Sequence, residues 1–592
     1  MLAPDSRAVL LEQLRPPLGY RLDRAVATTF TLDLTAALIP PLAFAAFEVR
    51  STPDPVAVME AVRSCTDRVD VFCQAGQITV PQRASDLMAF LEPMVHEVRR
   101  PRPGYLFHPK LWLLRYVSDT DTAYRLLCLS RNLTNDHSWD AVLRLDGERT
   151  NRPAALNRPL ADLVRALPTM ARSPLPAERR QRLADFAEDI RRIEWERPND
   201  VREIAFHVLG LAGNRSNPDF SGYRHLVVAP FCNDQGLDRV APSNDVTVVS
   251  RVEDLDRLAP STASRIDAHV VSALAGLEES TDPADGSELS VLSGLHAKLY
   301  VVERSRRAHV FLGSANATDA AFGGNVEVLV ELVGGATKLG VETFLGEDAP
   351  FAQLLEEYAV AGGEPPDPQD EALWALENLV RDLAEIGYAA TVEPADGGHR
   401  LSVTSDRPLA FPDGYQVSLE LLTRPGQACR QEPMNHSQAV FEPITTADIT
   451  PFVALHVESP QGLRRGTVIR AVLVGDPAGR LDEVLARQVD STEKFLRFLA
   501  LLLGLSQAAV PLELAGVEGA GGDGRFSTGS GIFEMVVRAL ADQPQALADL
   551  DRLVARLRSS EAGRDVLPEG FEQLWDVIVA AHRRLPKTKV DR

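Results

Sequence analysis

The sequence is poor in cysteine, in lysine and in long apolar runs. Its 592 residues include five cysteines and, among 62 basic residues, only six lysines. The cysteines are scattered without Cys-x-x-Cys spacing, which argues against a disulfide framework or a zinc site and favours a reducing compartment. The longest apolar runs, near 35–47 and 495–505, are interrupted and shorter than the roughly 20 residues that cross a membrane.

The amino-terminal residues show no basic segment followed by an apolar core, so we expect no secretory signal. Together with the sparse cysteines and the short apolar runs, this predicts a cytoplasmic protein without stable membrane association.

The net charge of −21 counts against a broad nucleic-acid-binding surface, because contacts to phosphate need positive charge. It leaves room for a local basic groove. Arg102 belongs to a basic segment that leads into His108, and Arg131 lies inside a Ser-x-Asn triplet. These two arginines are candidate substrate-binding residues.

The most informative stretch runs from 295 to 331. His296 and Lys298 open an apolar run that reads as a strand, so both side chains share one face of it. A second strand then delivers Ser314 and Asn316, and Glu327 follows on a third. A histidine, a lysine, an asparagine and an acid on adjacent strands form a plausible site for a phosphate ester.

The same order appears once upstream. His108 and Lys110 open the run LWLLRY, and the next strand leads into Ser130 and Asn132. Asp140 stands near the position of the acid. The two copies are a domain's length apart, which indicates a duplicated unit.

Both of these His-x-Lys triplets use a residue that the rest of the chain almost avoids. With 12 histidines and six lysines in 592 residues, chance predicts far fewer than one such triplet. Arginine replaces lysine almost everywhere else. Lysine at these two positions indicates that a compact ammonium group is required there, not a planar guanidinium.

This pair of motifs resembles the phospholipase D superfamily, whose signature is His-x-Lys followed by Gly-Ser-x-Asn, twice per active site. The second copy matches closely, with Glu303 in place of the usual aspartate and Gly313 before the serine. The first copy departs, since Arg115 and Leu129 occupy those two positions. Its looser form, with a nearby Trp139, is similar to the tyrosyl-DNA phosphodiesterase branch and to bacterial nucleases.

Hydrolysis of a phosphodiester needs a nucleophile, a proton donor and charge stabilisation. His108 and His296 can divide the first two tasks, and two lysines and two asparagines supply donors that a metal ion would otherwise provide. We therefore expect neither a cofactor nor a metal. The resemblance implies His108 as nucleophile and His296 as general acid, although the sequence is nearly symmetric in this respect.

Five further residues are candidates for supporting roles. Asp140, Glu303 and Glu327 are candidates to orient a histidine ring and fix its tautomer. Ser130 and Ser314 are expected to cap or orient their turns and not to act as nucleophiles.

Alternation of strands and helices in both copies predicts an α/β class, with two phospholipase D-like α/β sandwich halves in one chain. We expect the halves to pack about a pseudo-twofold axis with both motifs at the seam. The predicted divisions are 1–200 for the first half with its linking helices, 201–362 for the second half, 371–478 for a β-rich, sandwich-like domain and 479–592 for a helical region.

The leading functional hypothesis is a metal-independent phosphodiesterase, a nuclease that acts on DNA in preference to RNA. The resemblance implies a place in a bacterial defence or restriction system beside a helicase or another defence protein. Two alternatives stay open: a phospholipid hydrolase or transphosphatidylase, and a non-catalytic assembly protein with a vestigial site. Intact histidine, lysine and asparagine in both copies argue against the last.

Overall fold

The computed structural model describes most of the chain. The described ranges are 10–44, 55–135, 138–213, 217–272, 294–365, 367–492, 494–495, 499, 544–559, 561–568, 571–572, 575–576 and 579. Much of the predicted helical region 479–592 lies outside them. The protein is a mixed α/β chain with several sheets, as the sequence predicts.

The first part of the chain forms a seven-stranded sheet in the order β5-β3-β1-β6-β7-β8-β9. Strands β5, β3 and β1 are parallel, and each later strand is antiparallel to its neighbour. A short pair, β2 and β4, lies beside it. In chain order the elements are α1 (Leu10–Leu14), β1 (Arg21–Thr29), β2 (Leu32–Asp33), α2 (Leu34–Ala37), α3 (Pro40–Phe44), α4 (Pro55–Cys65), β3 (Val69–Gln74), β4 (Ile78–Thr79), β5 (Val95–Val98), β6 (Leu111–Val117), β7 (Thr122–Leu129), β8 (Val142–Arg149), α5 (Arg158–Met170), α6 (Ala177–Ile190) and β9 (Ile193–Trp195).

Strand β3 shows why this sheet has helices on its faces. All six of its residues are buried, which is typical of a parallel strand that is covered on both sides. The helical periodicity of 85–97 predicts a helix there, and that prediction is wrong in part. Asp86–Leu91 is a 3-10 segment and β5 follows it, because this stretch completes the parallel edge of the sheet.

The next part forms an eight-stranded sheet in the order β10-β16-β15-β14-β11-β12-β13-β17. Strands β11, β12 and β13 are parallel, and the other pairs are antiparallel. In chain order the elements are β10 (Val201–Leu209), β11 (Arg224–Val228), α7 (Asp234–Val240), β12 (Val246–Val249), α8 (Val252–Asp256), α9 (Pro260–Ala263), β13 (Asp267–Val271), β14 (Leu299–Arg304), β15 (Arg307–Gly313), α10 (Asp319–Gly323), β16 (Glu327–Gly335), α11 (Ala336–Leu339), α12 (Val341–Leu345) and β17 (Leu355–Glu357).

The two sheets repeat one strand order. The run β5-β3-β1-β6-β7-β8 corresponds to β13-β12-β11-β14-β15-β16 in direction and sequence of neighbours. Strand β13 falls where helical turns are predicted for 263–277, and this prediction is wrong for 267–271. The parallel pairing of β13 with β12 outweighs the local helical pattern.

The two sheets share one apolar core. Successive side chains of the central strands point to opposite faces, so alternate residues enter this shared core and the others enter the outer cores. It contains Val26, Leu111 and Leu113 from the first sheet, and Val301 and Val328 from the second. Burial across the seam therefore holds the two sheets against each other.

The region after 367 begins with a helix and continues as two four-stranded sheets, β22-β19-β18-β25 and β21-β20-β23-β24. One apolar core packs both sheets against the helix. The elements are α13 (Pro368–Ala384), β18 (Tyr388–Ala395), β19 (Gly398–Ser405), β20 (Gln416–Leu421), β21 (Cys429–Gln431), β22 (Gln438–Ile444), β23 (Phe452–Glu458), β24 (Arg464–Arg470) and β25 (Val472–Val474).

Buried charges join this β-rich region, and the helix that begins directly after it at Arg480, to the first part of the chain. Arg480 donates to both carboxylate oxygens of Glu92, at 2.6 and 3.1 Å. Glu97 accepts from Arg172 at 2.5 Å and from the Arg470 backbone at 2.8 Å. Since an unpaired buried carboxylate is costly, these contacts fix the β-rich region against the edge of the first sheet.

The described helices after 479 are α14 (Arg480–Gln488), α15 (Pro544–Arg558) and α16 (Glu561–Val566). Buried residues of α14 and α15 join the outer core of the first sheet. Among the described residues, no helix combines the length and the apolar character needed to cross a bilayer. The proposed domain boundaries stay a prediction.

One glycine of the second motif is required by close approach of β15 to β16. A methyl group at Gly313 would lie 2.0 Å from the Val328 carbonyl oxygen. We expect Gly313→Ala to destabilise the protein by about 1–3 kcal/mol, because the strands must separate. Gly335→Ala is the control, since a methyl group there meets nothing closer than 3.9 Å. Thermal unfolding of both variants checks this, and equal melting temperatures would contradict it.

Candidate active site

The two motifs occupy corresponding places on the two sheets. His108 and Lys110 directly precede β6, and His296 and Lys298 directly precede β14. The Ser-x-Asn triplets follow the ends of β7 and β15. The acids come next: Asp140 stands just before β8, and Glu327 is the first residue of β16. The repeated strand order therefore gives each sheet one complete set of the predicted residues.

Two isolated strand bridges join the motifs across the seam. Phe107, which precedes His108, pairs with Val326, which precedes Glu327. Trp139, which precedes Asp140, pairs with Leu295 in the same way. The backbone nitrogen of His108 donates to Val326 at 2.9 Å, and that of His296 donates to Trp139 at 2.7 Å. Each histidine is thus held next to the acid of the other copy.

For His108, the backbone bridge across the seam is joined by a direct side-chain contact to the acid of the other copy. Its Nδ1 lies 2.9 Å from Glu327 Oε2, and the carboxylate is fully buried. Ser314 donates to the same oxygen at 2.5 Å, and Asn325 donates to the other at 3.2 Å. This carboxylate fixes the tautomer of the His108 ring, with the proton on Nδ1 and the lone pair on Nε2.

Burial sets the charge of this pair. Burial lowers the pKa of His108 to about 4, and the nearby Lys110 ammonium acts in the same direction against the opposing effect of Glu327. Burial acts to raise the pKa of Glu327, but the interactions with His108, Lys110 and Ser314 outweigh it and the pKa is lowered. At neutral pH the pair is a neutral imidazole beside a carboxylate.

Lys110 contacts Nε2 of His108, the ring nitrogen that carries the lone pair. Its Nζ lies 2.8 Å from His108 Nε2 and also donates to the His108 carbonyl at 3.2 Å. The side chain is 1 % exposed, and burial holds its pKa well below the usual value, helped by the charge of Lys298. If Lys110 Nζ donated to an incoming phosphoryl group instead of to His108, the lone pair of Nε2 would become free to react.

Lys298 connects the two copies directly. Its Nζ donates to the His296 carbonyl at 3.0 Å and to the Ser130 carbonyl of the first motif at 3.4 Å. Burial lowers the pKa of Lys298 to about 7, while the charge of Glu327 opposes this change and that of Arg251 adds to it. Both lysine side chains are therefore buried at one site, in surroundings that favour their neutral form.

Asp140 holds the position in the first sheet that Glu327 holds in the second. Both acids stand directly after a residue that bridges to the strand of the opposite histidine. Asp140 is half-buried, and its negative charge raises the pKa of Lys298. His296 is also half-buried, so the second histidine is more accessible than His108, which is 9 % exposed.

The serines hold the turns that carry the asparagines. The Ser130 hydroxyl accepts from Ala141 N at 2.7 Å, and the Ser314 hydroxyl accepts from Val328 N at 2.9 Å. Ala141 and Val328 directly follow the two acids. The serines therefore tie each turn to the strand of its acid, and Ser314 also donates to the Glu327 carboxylate.

The asparagines lie at the ends of these turns and are half-buried. Asn132 Oδ1 accepts from Thr31 N at 3.3 Å, which leaves its amide hydrogens for a ligand. The buried Oδ1 of Asn316 has no hydrogen-bond partner among the described residues. The amide N–H groups of the two side chains, and not their oxygens, are the donors suited to a phosphoryl group.

Glu303 does not belong to the site. It lies near the far end of β14, where it accepts from Val341 N at 2.8 Å and from the Tyr223 hydroxyl at 3.0 Å. Arg115, at the matching position of the first copy, pairs with Asp23 and Asp189. The prediction that Glu303 orients a histidine is wrong, because the extended strand carries this position away from the motif.

The candidate substrate arginines also make structural contacts. Arg131 donates to the Thr134 carbonyl at 2.8 Å and lies 3.7 Å from Asp140, so it stays beside the first motif. Arg102 is exposed, donates to the Gly323 carbonyl at 2.7 Å and stacks on Tyr105. Arg102 links the two sheets and is not brought to the histidines.

Three residues near the site escape sequence reasoning. Gln74 accepts from Phe107 N at 2.7 Å, and Asn325 accepts from Leu106 N at 2.9 Å. Arg251 donates to the Leu295 carbonyl at 3.2 Å. Gln74 and Arg251 stand at the carboxyl ends of β3 and β12, where parallel strands place polar residues at one edge. That position is the signal that could have found them.

The described ranges hold no group of three or more His, Cys, Asp or Glu side chains arranged to hold a metal ion. Three of the other histidines in the described ranges have carboxylate partners away from the site. His96 pairs with Asp70, and His207 and His309 share the carboxylate of Glu331. His137 lies outside the described residues.

No protein-family model matches this chain, and no curated protein is similar enough to match it. Solved structures do resemble it. A mutant of yeast tyrosyl-DNA phosphodiesterase is 14 % identical with a TM-score of 0.30, and the match covers 56 % of this chain and 85 % of that one. Polyphosphate kinase from Porphyromonas gingivalis is 13 % identical with a TM-score of 0.31, covering 63 % and 51 %.

Phosphatidylserine synthase from Haemophilus influenzae is 11 % identical with a TM-score of 0.31, covering 64 % of this chain and 92 % of that one. All three are members of the phospholipase D superfamily, the family that the two motifs resemble.

The two glutamates of the second copy provide a matched pair of variants. We expect Glu327→Gln to lower kcat about 100-fold or more, because an amide cannot stabilise the charge that develops on His108. Glu303→Gln keeps an acceptor for Val341 N and should leave kcat unchanged. Steady-state hydrolysis of a phosphodiester by both variants is the measurement, and equal losses would refute the assignment.

The lowered pKa of Lys298 predicts a pH dependence. A lysine with a pKa of about 7 is charged below pH 7 and loses its charge as the pH rises through that value. We expect kcat/KM to fall above pH 7 in the wild type. In Lys298→Arg the activity should be lower at every pH, because the buried position suits a compact ammonium and not a planar guanidinium. The fall above pH 7 should nevertheless be much smaller, since arginine stays charged. Lys338→Arg, an exposed control, should keep the wild-type profile. An unchanged profile in Lys298→Arg would contradict the prediction.

Proposed function

We propose that this chain is a phosphodiesterase of the phospholipase D superfamily, and that it acts on nucleic acid, DNA in preference to RNA. The proposal is carried by one observation: each histidine is bonded across the seam to the strand of the other copy, and His108 contacts Glu327 there. Two half-sites that cross in this way make a single centre.

The proposed first step is attack by His108 Nε2 on the phosphorus atom. The N–P bond forms as the bond to the leaving oxygen breaks, and His296 gives its proton to that oxygen. The neutral state of His108 and its Nδ1 contact to Glu327 support this role, because a nucleophilic imidazole needs a free lone pair. The product is a phosphohistidine.

In the second step, water attacks the phosphorus atom while His296 accepts its proton. The N–P bond breaks, the phosphate monoester leaves, and both histidines return to their starting states. His296 is half-buried, which suits a group that must exchange protons with a leaving oxygen and with water.

Charge stabilisation falls to the lysines and asparagines. Lys110 and Lys298 are both buried, and such cations act strongly on a phosphoryl group because little water screens them. Asn132 and Asn316 add neutral donors. We propose that these four side chains make a metal ion unnecessary.

A nuclease role in a bacterial defence or restriction system, beside a helicase or another defence protein, is the biological setting that we propose. The β-rich region, bonded to the first sheet through Glu92 and Glu97, is a candidate surface for such a partner.

The decisive assay uses the purified chain in EDTA with labelled single-stranded DNA, double-stranded DNA, RNA and phosphatidylcholine vesicles. We expect cleavage of nucleic acid that both His108→Ala and His296→Ala abolish. Release of choline would favour a phospholipid hydrolase instead, and no turnover of any substrate would favour a non-catalytic protein. Lys338→Arg serves as a variant outside the site.

The same variants assign the histidines. In His296→Ala, which lacks the general acid and base, a substrate with a good leaving group should leave phosphohistidine on His108. In His108→Ala no covalent adduct should form. Mass spectrometry identifies which histidine carries the alkali-stable, acid-labile phosphoryl adduct. An adduct on His296 would make His296 the nucleophile and His108 the general acid.

A further inference from the structure

The two sides of the site differ in one respect that the repeated fold does not explain. By strand pairing, Phe231 in the second sheet corresponds to Thr31 in the first. Leu32 bridges Leu133, the residue after Asn132, and Cys232 bridges Ala317, the residue after Asn316. Thr31 is half-buried, whereas Phe231 is an exposed aromatic residue, with 40 % of its surface accessible.

The position of Phe231 borders the catalytic residues. Its carbonyl accepts from Ala317 N at 3.1 Å, so its backbone lies beside the turn that carries Asn316. The ring packs against the Arg251 guanidinium, 4.6 Å from the ring centre. Arg251 in turn donates to the carbonyl of Leu295, the residue before His296.

Arg251 brings positive charge to the same place. Its charge lowers the pKa of Lys298, which places it within electrostatic reach of the site. Within the described ranges no carboxylate lies close enough to Arg251 to form an ion pair. The corresponding residue of the first sheet is Gln74, which is neutral and fully buried.

We propose that Phe231, backed by Arg251, is a stacking platform for one base of an unpaired nucleic-acid strand. One face of the ring is covered by the guanidinium, and an exposed aromatic face is what a base stacks on in single-strand binding. The stacked nucleotide lies on the His296 side of the phosphate. This inference rests on the proposed function and names its substrate class as single-stranded.

The choice of an unpaired strand follows from the geometry of a duplex. Paired bases are already stacked inside the double helix and cannot reach a protein ring without being unpaired. A single phenylalanine beside the site therefore favours a strand whose bases are free. The net charge of −21 agrees with this, because the chain lacks the broad basic surface that a long duplex needs.

The test compares a base-bearing single strand with the same strand in which abasic sites replace the nucleotides next to the scissile phosphate. We expect Phe231→Ala to raise KM for the base-bearing strand about 5- to 150-fold, the range that the loss of one stacked base produces. The KM of Phe231→Ala for the abasic strand should equal that of the wild type. Phe231→Trp should restore the affinity.

Two controls separate stacking from structural damage. Trp374→Ala removes another exposed aromatic residue, on α13, and should leave both KM values unchanged. The duplex form of the strand should bind Phe231→Ala and the wild type equally. An equal rise in KM for the base-bearing and the abasic strand, or no rise for either, would overturn the proposal that Phe231 stacks on a base. A duplex that is bound more tightly than the single strand would overturn the choice of substrate.

A binding measurement keeps this inference distinct from the proposed function. Fluorescence anisotropy of labelled strands, in full-length chains that also carry His108→Ala, measures Kd without cleavage. If the wild type hydrolyses no nucleic acid, the proposed function fails, and the anisotropy still decides the platform. A base-dependent loss of affinity in Phe231→Ala supports it, and identical Kd values refute it.

Discussion

The site depends on two short backbone crossings at the seam between the sheets. The pairing of Phe107 with Val326 brings His108 to Glu327, and the pairing of Trp139 with Leu295 brings His296 to the strand of Asp140. Each crossing supplies hydrogen bonds that also satisfy buried backbone groups. The same bonds that close the seam therefore bring together the proposed catalytic groups, and neither sheet has the whole proposed site without the other.

A symmetric framework carries different surroundings on its two sides. The His108 side is closed, with a buried carboxylate, a buried lysine and the Phe30 ring 5.1 Å from the imidazole. The His296 side is more open and has Arg251 and an exposed ring at its border. Burial favours a neutral imidazole for attack, and accessibility favours proton exchange. The proposed assignment of nucleophile and general acid thus rests on solvent exposure more than on the motifs themselves.

Much of this arrangement could be predicted from the sequence, because the signals are local. Continuous apolar runs identified the strands that carry both motifs, and the rarity of lysine drew attention to Lys110 and Lys298. The choice among acids needed the fold. Glu303 lies five residues beyond Lys298, and an extended strand carries such a residue roughly 16 Å away. Gln74, Asn325 and Arg251 contact the motif backbone from other strands, so no local spacing identifies them.

The buried ion pair between Glu92 and Arg480 has a consequence for how the chain is made. Glu92 leaves the ribosome long before Arg480, its counter-ion. Until Arg480 emerges, burying the Glu92 carboxylate would leave a charge without a counter-ion. The surface around Glu92 should therefore stay hydrated during translation and close only when nearly five hundred residues have been synthesised.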